Sequence, residues 1–213
     1  LKGRQPIDEP LLRAMNDRLR HRGPDGSGVH VEAGIGLAHR RLSIVDLAAG
    51  HQPMYNEDDS VCIVFNGEIY NFQPLVQELA ALGHRFRTRC DTEVIIHAWE
   101  QWGTDCLARF NGMFAFALWD RNRQQMFLAR DRLGVKPLFH ATLADGTFLF
   151  ASELKSLLLH PGLPRQLLPR AIEDYLTFGY VPEPDTIYGG IHKLEPGHLL
   201  LIDGTGRQAI RPY

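Results

Sequence analysis

Residues 113–132 read M-F-A-F-A-L-W-D-R-N-R-Q-Q-M-F-L-A-R-D-R. Two arms, 113–120 and 125–132, flank the polar turn R-N-R-Q, so the stretch predicts a β-hairpin. The first arm carries apolar side chains on both of its faces. An antiparallel strand with one wet face would alternate apolar and polar residues instead. This hairpin must therefore be covered on both sides. A second hairpin, 137–152, turns at L-A-D-G, and strands are predicted at 35–39, 61–65 and 197–202.

Helices fill the remainder. One is predicted over 8–21, with Asp8 as cap, Pro10 in its first turn, and Leu11, Leu12, Met15 and Leu19 at helical spacing. H-R-G-P-D-G-S-G (21–28) follows as a glycine-rich turn. Further helices are predicted over 72–82, from Asp91 to Trp102, over 153–160 and over 169–178. In the Asp91 helix, Val94, Ile95, Ala98, Trp99 and Trp102 make one apolar stripe and Gly103 ends it. Strands buried on both faces, mostly joined as hairpins, require cover from amphipathic helices. The expected fold is α+β: a four-layer αββα sandwich of two mainly antiparallel sheets between helices.

The totals agree with a globular domain: 213 residues, 44% apolar and 23% charged. A formal net charge of −2 gives no reason to expect a nucleic-acid surface. The basic stretches R-R (40–41) and H-R-F-R-T-R (84–89) read as solvated faces or single functional arginines. No apolar run approaches the ~20 residues needed to cross a bilayer. The first residues, L-K-G-R-Q-P-I-D-E-P, lack the apolar core of a signal peptide. Three cysteines, Cys62, Cys90 and Cys106, show no metal-ligand spacing, and the histidines form no H-x-x-x-H or H-E-x-x-H pattern. A reduced, cytoplasmic setting and no metal are expected.

F-N-G-E-I-Y-N (65–71) poses the sharper question, because Asn-Gly is a strong hairpin-turn signal. The residues after it do not read as a paired return strand before the helix at 72. The alternative is a set of polar groups at the end of a buried strand, aimed at a ligand.

Four stretches stand in order: H-R-G-P-D-G (21–26), H-R-R-L-S-I-V-D (39–46), N-G-E-I-Y-N (66–71) and C-D-T-E-V-I (90–95). Together they resemble the glutaminase domain of class II glutamine amidotransferases, the asparagine synthetase type in particular. R-D-R-L-G-V-K-P-L (130–138), A-S-E-L-K-S-L (151–157) and P-G-H-L-L (196–200) carry the likeness over nearly the whole chain. The resemblance implies the N-terminal-nucleophile hydrolase fold. It implies a glutaminase domain over 1–160, with 161–213 a C-terminal extension of that domain leading toward a synthetase domain outside this chain.

The implied reaction hydrolyses the side-chain amide of glutamine to glutamate and ammonia. In the family a cysteine at the mature N-terminus attacks, and its own α-amine, with a pKa of roughly 7.7–8.0, is the base. Arg41 is the implied partner of the substrate carboxylate, since its planar fork can bond both oxygens. Asp91 would take the α-ammonium with help from Glu68, and would also cap the helix beginning at Thr92. Asn66, through its side-chain amide, and Gly67, through its backbone N–H, would form the oxyanion hole. Ile44 and Val45 would shape the pocket by backbone contacts, and Arg22 would reach toward it. Cys90 is a rival nucleophile, but no base lies near it in sequence.

The family begins C-G-I, whereas this sequence begins L-K-G-R. The expectation is that the first strand, with its nucleophile, lies outside the chain and that the chain as given is inactive. An exposed sheet edge would then favour a homodimer. No cofactor is expected here. ATP and Mg would belong to the synthetase domain, where aspartate is the acceptor. Two rival readings are a non-catalytic glutamine-binding domain and a class II amidotransferase serving a different acceptor.

Overall fold

The computed structural model describes residues 6–42 and 50–213. Its centre is the hairpin at 113–132. The strand Gly112–Asp120 (β5) pairs antiparallel with Val61–Ile69 (β4) on one side and with Gln125–Arg130 (β6) on the other. Met54–Tyr55 (β3), His198–Asp203 (β10) and Gln208–Pro212 (β11) complete a six-stranded sheet in the order β11-β10-β6-β5-β4-β3.

The doubly apolar arm separates into two faces, as the pleat requires. Phe114, Phe116 and Leu118 join a core that includes Leu75, Leu79, Val94, Ile95 and Trp99. These last five belong to the helices Phe72–Ala81 (α2) and Asp91–Trp102 (α3), and the 3-10 turn Gly103–Arg109 extends that layer. Ala115, Ala117 and Trp119 face the other way, into a core with Ile35, Leu37, Leu138 and Phe148.

That second core is closed by two smaller antiparallel sheets. Gly26–Glu32 (β1) pairs with Ile35–Arg41 (β2). Phe139–Thr142 (β7) lies between Phe148–Ala151 (β8) and Ile191–Lys193 (β9). Outside them pack the helices Glu9–Asp17 (α1) and Leu154–Leu157 (α4), through a third core of Met15, Ala141, Ala151, Leu157 and Ile191. The Ser156 hydroxyl donates to the Met15 carbonyl at 2.8 Å and ties the two helices together. The result is helices, sheet, sheet, helices. Pro169–Phe178 (α5) lies apart from these cores, with Ala171 buried and Leu176 exposed.

Several boundaries differ from the sequence reading. Helix α1 stops at Asp17 and is followed by turns to Arg22. Asp8 caps it as expected, accepting from the Leu11 N–H at 2.9 Å. Strand β1 begins inside the segment expected to be a turn, because Gly26 and Gly28 are strand residues, Gly28 in close contact with neighbouring backbone. A Cβ on Gly28 would lie 2.0 Å from the Gln52 carbonyl oxygen. Helix α4 is four residues long and shorter than expected.

The segment R-D-R-L-G-V-K-P is organised by two buried charges. Asp131 Oδ1 accepts from the Leu133 and Val135 N–H groups, and Oδ2 accepts from Phe114 and Lys136. The Arg130 guanidinium donates to the carbonyls of Gly134, Lys136 and Leu194 and to the Glu183 carboxylate. Asp131→Ala would leave these backbone donors without their acceptor. We expect a stability loss of about 3 kcal/mol or more, read by urea unfolding.

Candidate functional site

Two strands change character at the same end of the inter-sheet space. On β2 the inward series runs Ile35, Leu37, His39, Arg41, apolar and then polar. On β4 the corresponding face runs Cys62, Val64, Asn66, Glu68. A direct bond joins the two polar ends, since His39 Nε2 lies 3.0 Å from the Phe65 carbonyl oxygen. Burial holds the His39 ring well below its ordinary pKa, at about 4, despite that bond. The ring is thus neutral at neutral pH, and Nε2 donates to the carbonyl.

Strand β3 covers only the start of β4, pairing with Cys62 and Ile63. Beyond it, the Gln52 side chain takes the place of a neighbouring strand. Its Oε1 accepts from the Phe65 N–H at 2.6 Å and its Nε2 donates to the Phe65 carbonyl at 3.1 Å. The backbone just before Asn66 is therefore held by Gln52 and His39.

Asn66-Gly67 is not a turn. The β4–β5 register continues through it, with Asn66 opposite Ala115 and Gly67 opposite Phe114. A Cβ on Gly67 would lie 2.1 Å from the Met113 carbonyl oxygen, and one on Gly112 would lie 2.2 Å from that of Glu68. The glycines are there because the two strands approach this closely. Opposite Asn66 and Val64, the small Ala115 and Ala117 leave room for a cavity.

Asp91 is the first residue of α3, and Cys90 takes the cap position expected of it. The Asp91 Oδ2 atom reaches across to β4 and accepts from the Ile69 N–H at 2.9 Å. Burial pushes its carboxyl pKa up, the Ile69 bond works against this, and the nearby Glu68 charge adds to it. A buried carboxylate with a raised pKa is poised to gain from a cation.

Arg41, Asn66, Gly67, Glu68 and Asp91 all line one cavity of about 700 Å³, which runs on between the sheets past Val64, Ala115 and Ala117. Arg41 and Asp91 are both buried, and Glu68 is exposed. A buried guanidinium and a buried carboxylate thus share one cavity with a polar strand end.

Over residues 2–213 the sequence matches the family described as "Glutamine amidotransferase domain". The chain belongs to that family. It is 42% identical over 202 residues to an asparagine synthetase (glutamine-hydrolyzing) of Bacillus subtilis, covering 93% of this chain and 33% of the relative. A putative asparagine synthetase of Methanocaldococcus jannaschii is 38% identical over 99% of this chain and 44% of its own length. The chain thus spans about a third of such relatives. Among solved structures, glutamine phosphoribosylpyrophosphate amidotransferase of B. subtilis superposes with a TM-score of 0.65 at 20% identity, over 98% of this chain and 47% of that one. A second, the allosteric regulatory enzyme of purine biosynthesis, gives 0.68, also at 20% identity, with the same shares of each chain. The four-layer arrangement is accordingly the N-terminal-nucleophile hydrolase fold.

In this amidotransferase domain the five expected residues Arg41, Asn66, Gly67, Glu68 and Asp91 come together, and Arg22 lines the same cavity. Ile44 and Val45 lie outside the described residues. Arg40, beside Arg41, also lines the cavity, and its Nε donates to the Gly23 carbonyl. Burial pushes the Cys90 thiol up, so it is a poor source of thiolate. Gln52 and His39 were not anticipated. Both act on backbone atoms, and a glutamine before a proline carries no such signal. Gln52→Ala would strip the Phe65 N–H of its acceptor. The expected result is a loss of about 1–3 kcal/mol in denaturant unfolding, with faster amide exchange at Phe65.

Proposed function

We propose that this chain is the glutamine-hydrolysing part of an asparagine synthetase-type enzyme. The observation that carries the reading is the cavity in which Arg41, Asp91 and Glu68 stand with Asn66 and Gly67. A free amino acid is a zwitterion, and its head requires opposite charges held together. Arg41 binds the carboxylate, and Asp91 and Glu68 bind the ammonium. The distal amide then extends toward Asn66 and Gly67, whose N–H groups stabilise the oxyanion that forms on attack. The ammonia released amidates aspartate in a synthetase domain that binds ATP and Mg. The relatives' greater length and their names support this part of the proposal.

The nucleophile is proposed to be a cysteine upstream of Leu1, carried on a strand between β2 and β8. Among the described residues, β2 has only β1 as a neighbour and β8 has only β7. Residues of both strands line the same cavity. The chain's own thiols are unsuited, since burial lifts Cys62 to about 12 and drives Cys106 far up as well. In this reading residues 1–213 alone are inactive, and the edges of β2 and β8 are open to a second copy of the chain. Exposed apolar side chains at Leu133, Val135, Tyr175 and Leu176 support contact with the synthetase domain. Three free cysteines support a cytoplasmic setting. No described helix is long and apolar enough to cross a membrane.

The full-length enzyme provides the test. Asn66→Ala should lower the glutaminase kcat by ~10²–10³ with little change in KM. Near-normal turnover in that variant would overturn the assignment. Asp91→Asn should raise the glutamine KM by roughly 10- to 100-fold. Substrate binding needs the ionised Asp91, whose pKa is raised above its ordinary 3.8. The wild-type KM should therefore rise as pH falls through that raised value, and the Asn variant should lose this acidic limb.

A further inference from the structure

Away from the glutamine cavity, three donors converge on the far half of α3. His97 and Glu100 lie one helical turn apart, and His84 comes from the loop after α2. One donor atom from each lies within 4.8 Å of the others. Glu100 Oε2 is 2.8 Å from His97 Nδ1 and 3.5 Å from His84 Nδ1. None of the three lines the glutamine cavity.

The hydrogen bonds around them fix what these atoms present. His84 Nε2 is 3.0 Å from Gln101 Oε1, an atom that can only accept, so Nε2 carries the proton. Its other ring nitrogen, Nδ1, is turned toward Glu100. His97 is 1% exposed, and its Nε2 has no hydrogen-bond partner among the described residues. That atom faces the carboxylates of Glu93 at 3.7 Å and Glu57 at 4.0 Å. The other ring nitrogen, Nδ1, faces Glu100. The 2.8 Å contact between His97 Nδ1 and Glu100 Oε2 is a hydrogen bond, and a metal bound among the three groups would take the place of its proton.

Charge points the same way. The ion pairs of Glu57, Glu93 and Glu100 among the described residues are all with His84 and His97. The outer contacts resemble those that orient metal ligands. Gln101 holds His84, Asn56 donates to Glu100 Oε1 at 2.8 Å, and Glu93 faces the far nitrogen of His97. Glu93 is itself fixed by the N–H groups of Arg87 and Thr88 and by the Thr88 hydroxyl.

We propose that His84, His97 and Glu100 form a divalent transition-metal site, with zinc the metal suited to two imidazoles and one carboxylate. His84 and Glu100 are partly exposed, so a fourth position can be reached by water. The site is structural: it ties the loop carrying His84 to α3, the helix whose first residue is Asp91.

Full-length protein stripped with a chelator and titrated with zinc by calorimetry tests this directly, with cobalt as the spectroscopic probe. The wild type should bind one zinc per chain at this site and show the visible bands of tetrahedral cobalt. His84→Ala lies in the loop and leaves the buried Glu93–His97 contact intact. It should weaken zinc binding by about 10–100-fold or more and remove the cobalt bands. Zinc should raise the melting temperature of the wild type and not that of His84→Ala. Glu100→Gln should behave likewise. The absence of zinc binding, or equal binding by wild type and His84→Ala, would overturn the site and leave a proton-bridged ion-pair cluster. The result is independent of the glutaminase reading, because Asn66→Ala retains all three ligands.

Discussion

The site depends on the close pairing of β4 with β5 at Gly67 and Gly112. At these positions a single added methyl would collide with the opposite carbonyl. The pairing carries β4 straight through Asn66-Gly67, so the polar residues lie on a strand that β5 holds along its whole length. Groups that must meet a developing charge work best when their support is rigid. Here the support is the strand β5 on one side and the Gln52 amide with the His39 ring on the other. The same geometry explains why β5 is apolar on both faces. One face meets the helices, and the other supplies the small side chains that floor the cavity.

Asp91, set against this frame, carries a desolvation cost. Asp91 is buried, and its carboxyl is pushed toward the neutral form. Arg41 is buried in the same cavity. Buried charges are stable only when compensated. The Ile69 N–H compensates part of the Asp91 charge and joins the start of α3 to the end of β4. Under the proposed reading the ammonium of the substrate supplies the remainder at Asp91.

The four-layer fold was legible because its signal is periodic. Phe114 and Phe116 on one face and Ala115 and Ala117 on the other can be read from alternation alone. Strand β1 was not legible, since glycines at 26 and 28 mark turns in most sequences, and here both lie in a strand, Gly28 where the backbone of Gln52 comes close. The short β3, β9 and β11 are set by their partners rather than by any pattern of their own. Of the site, the charged groups and the Asn-Gly pair could be chosen by residue type and resemblance. Gln52 and His39 could not, because their partner is the backbone of Phe65. The grouping of His84 with His97 and Glu100 escaped the same way, since a loop residue meets one helical turn only after α2 and α3 have packed.

The inter-sheet space constrains whatever fills it. Its walls run from apolar, at Val64, Ala115 and Phe148, to polar, at Asn66 and Arg41. The backbone edges of β2 and β8 border the same space. Backbone N–H and C=O groups facing an apolar space require partners. An apolar small molecule would satisfy the walls and leave the edges unpaired. An extended peptide with apolar side chains along most of its length would satisfy both. Its polar end would then lie beside Asn66 and Gly67, which is where the proposed hydrolysis needs a nucleophile.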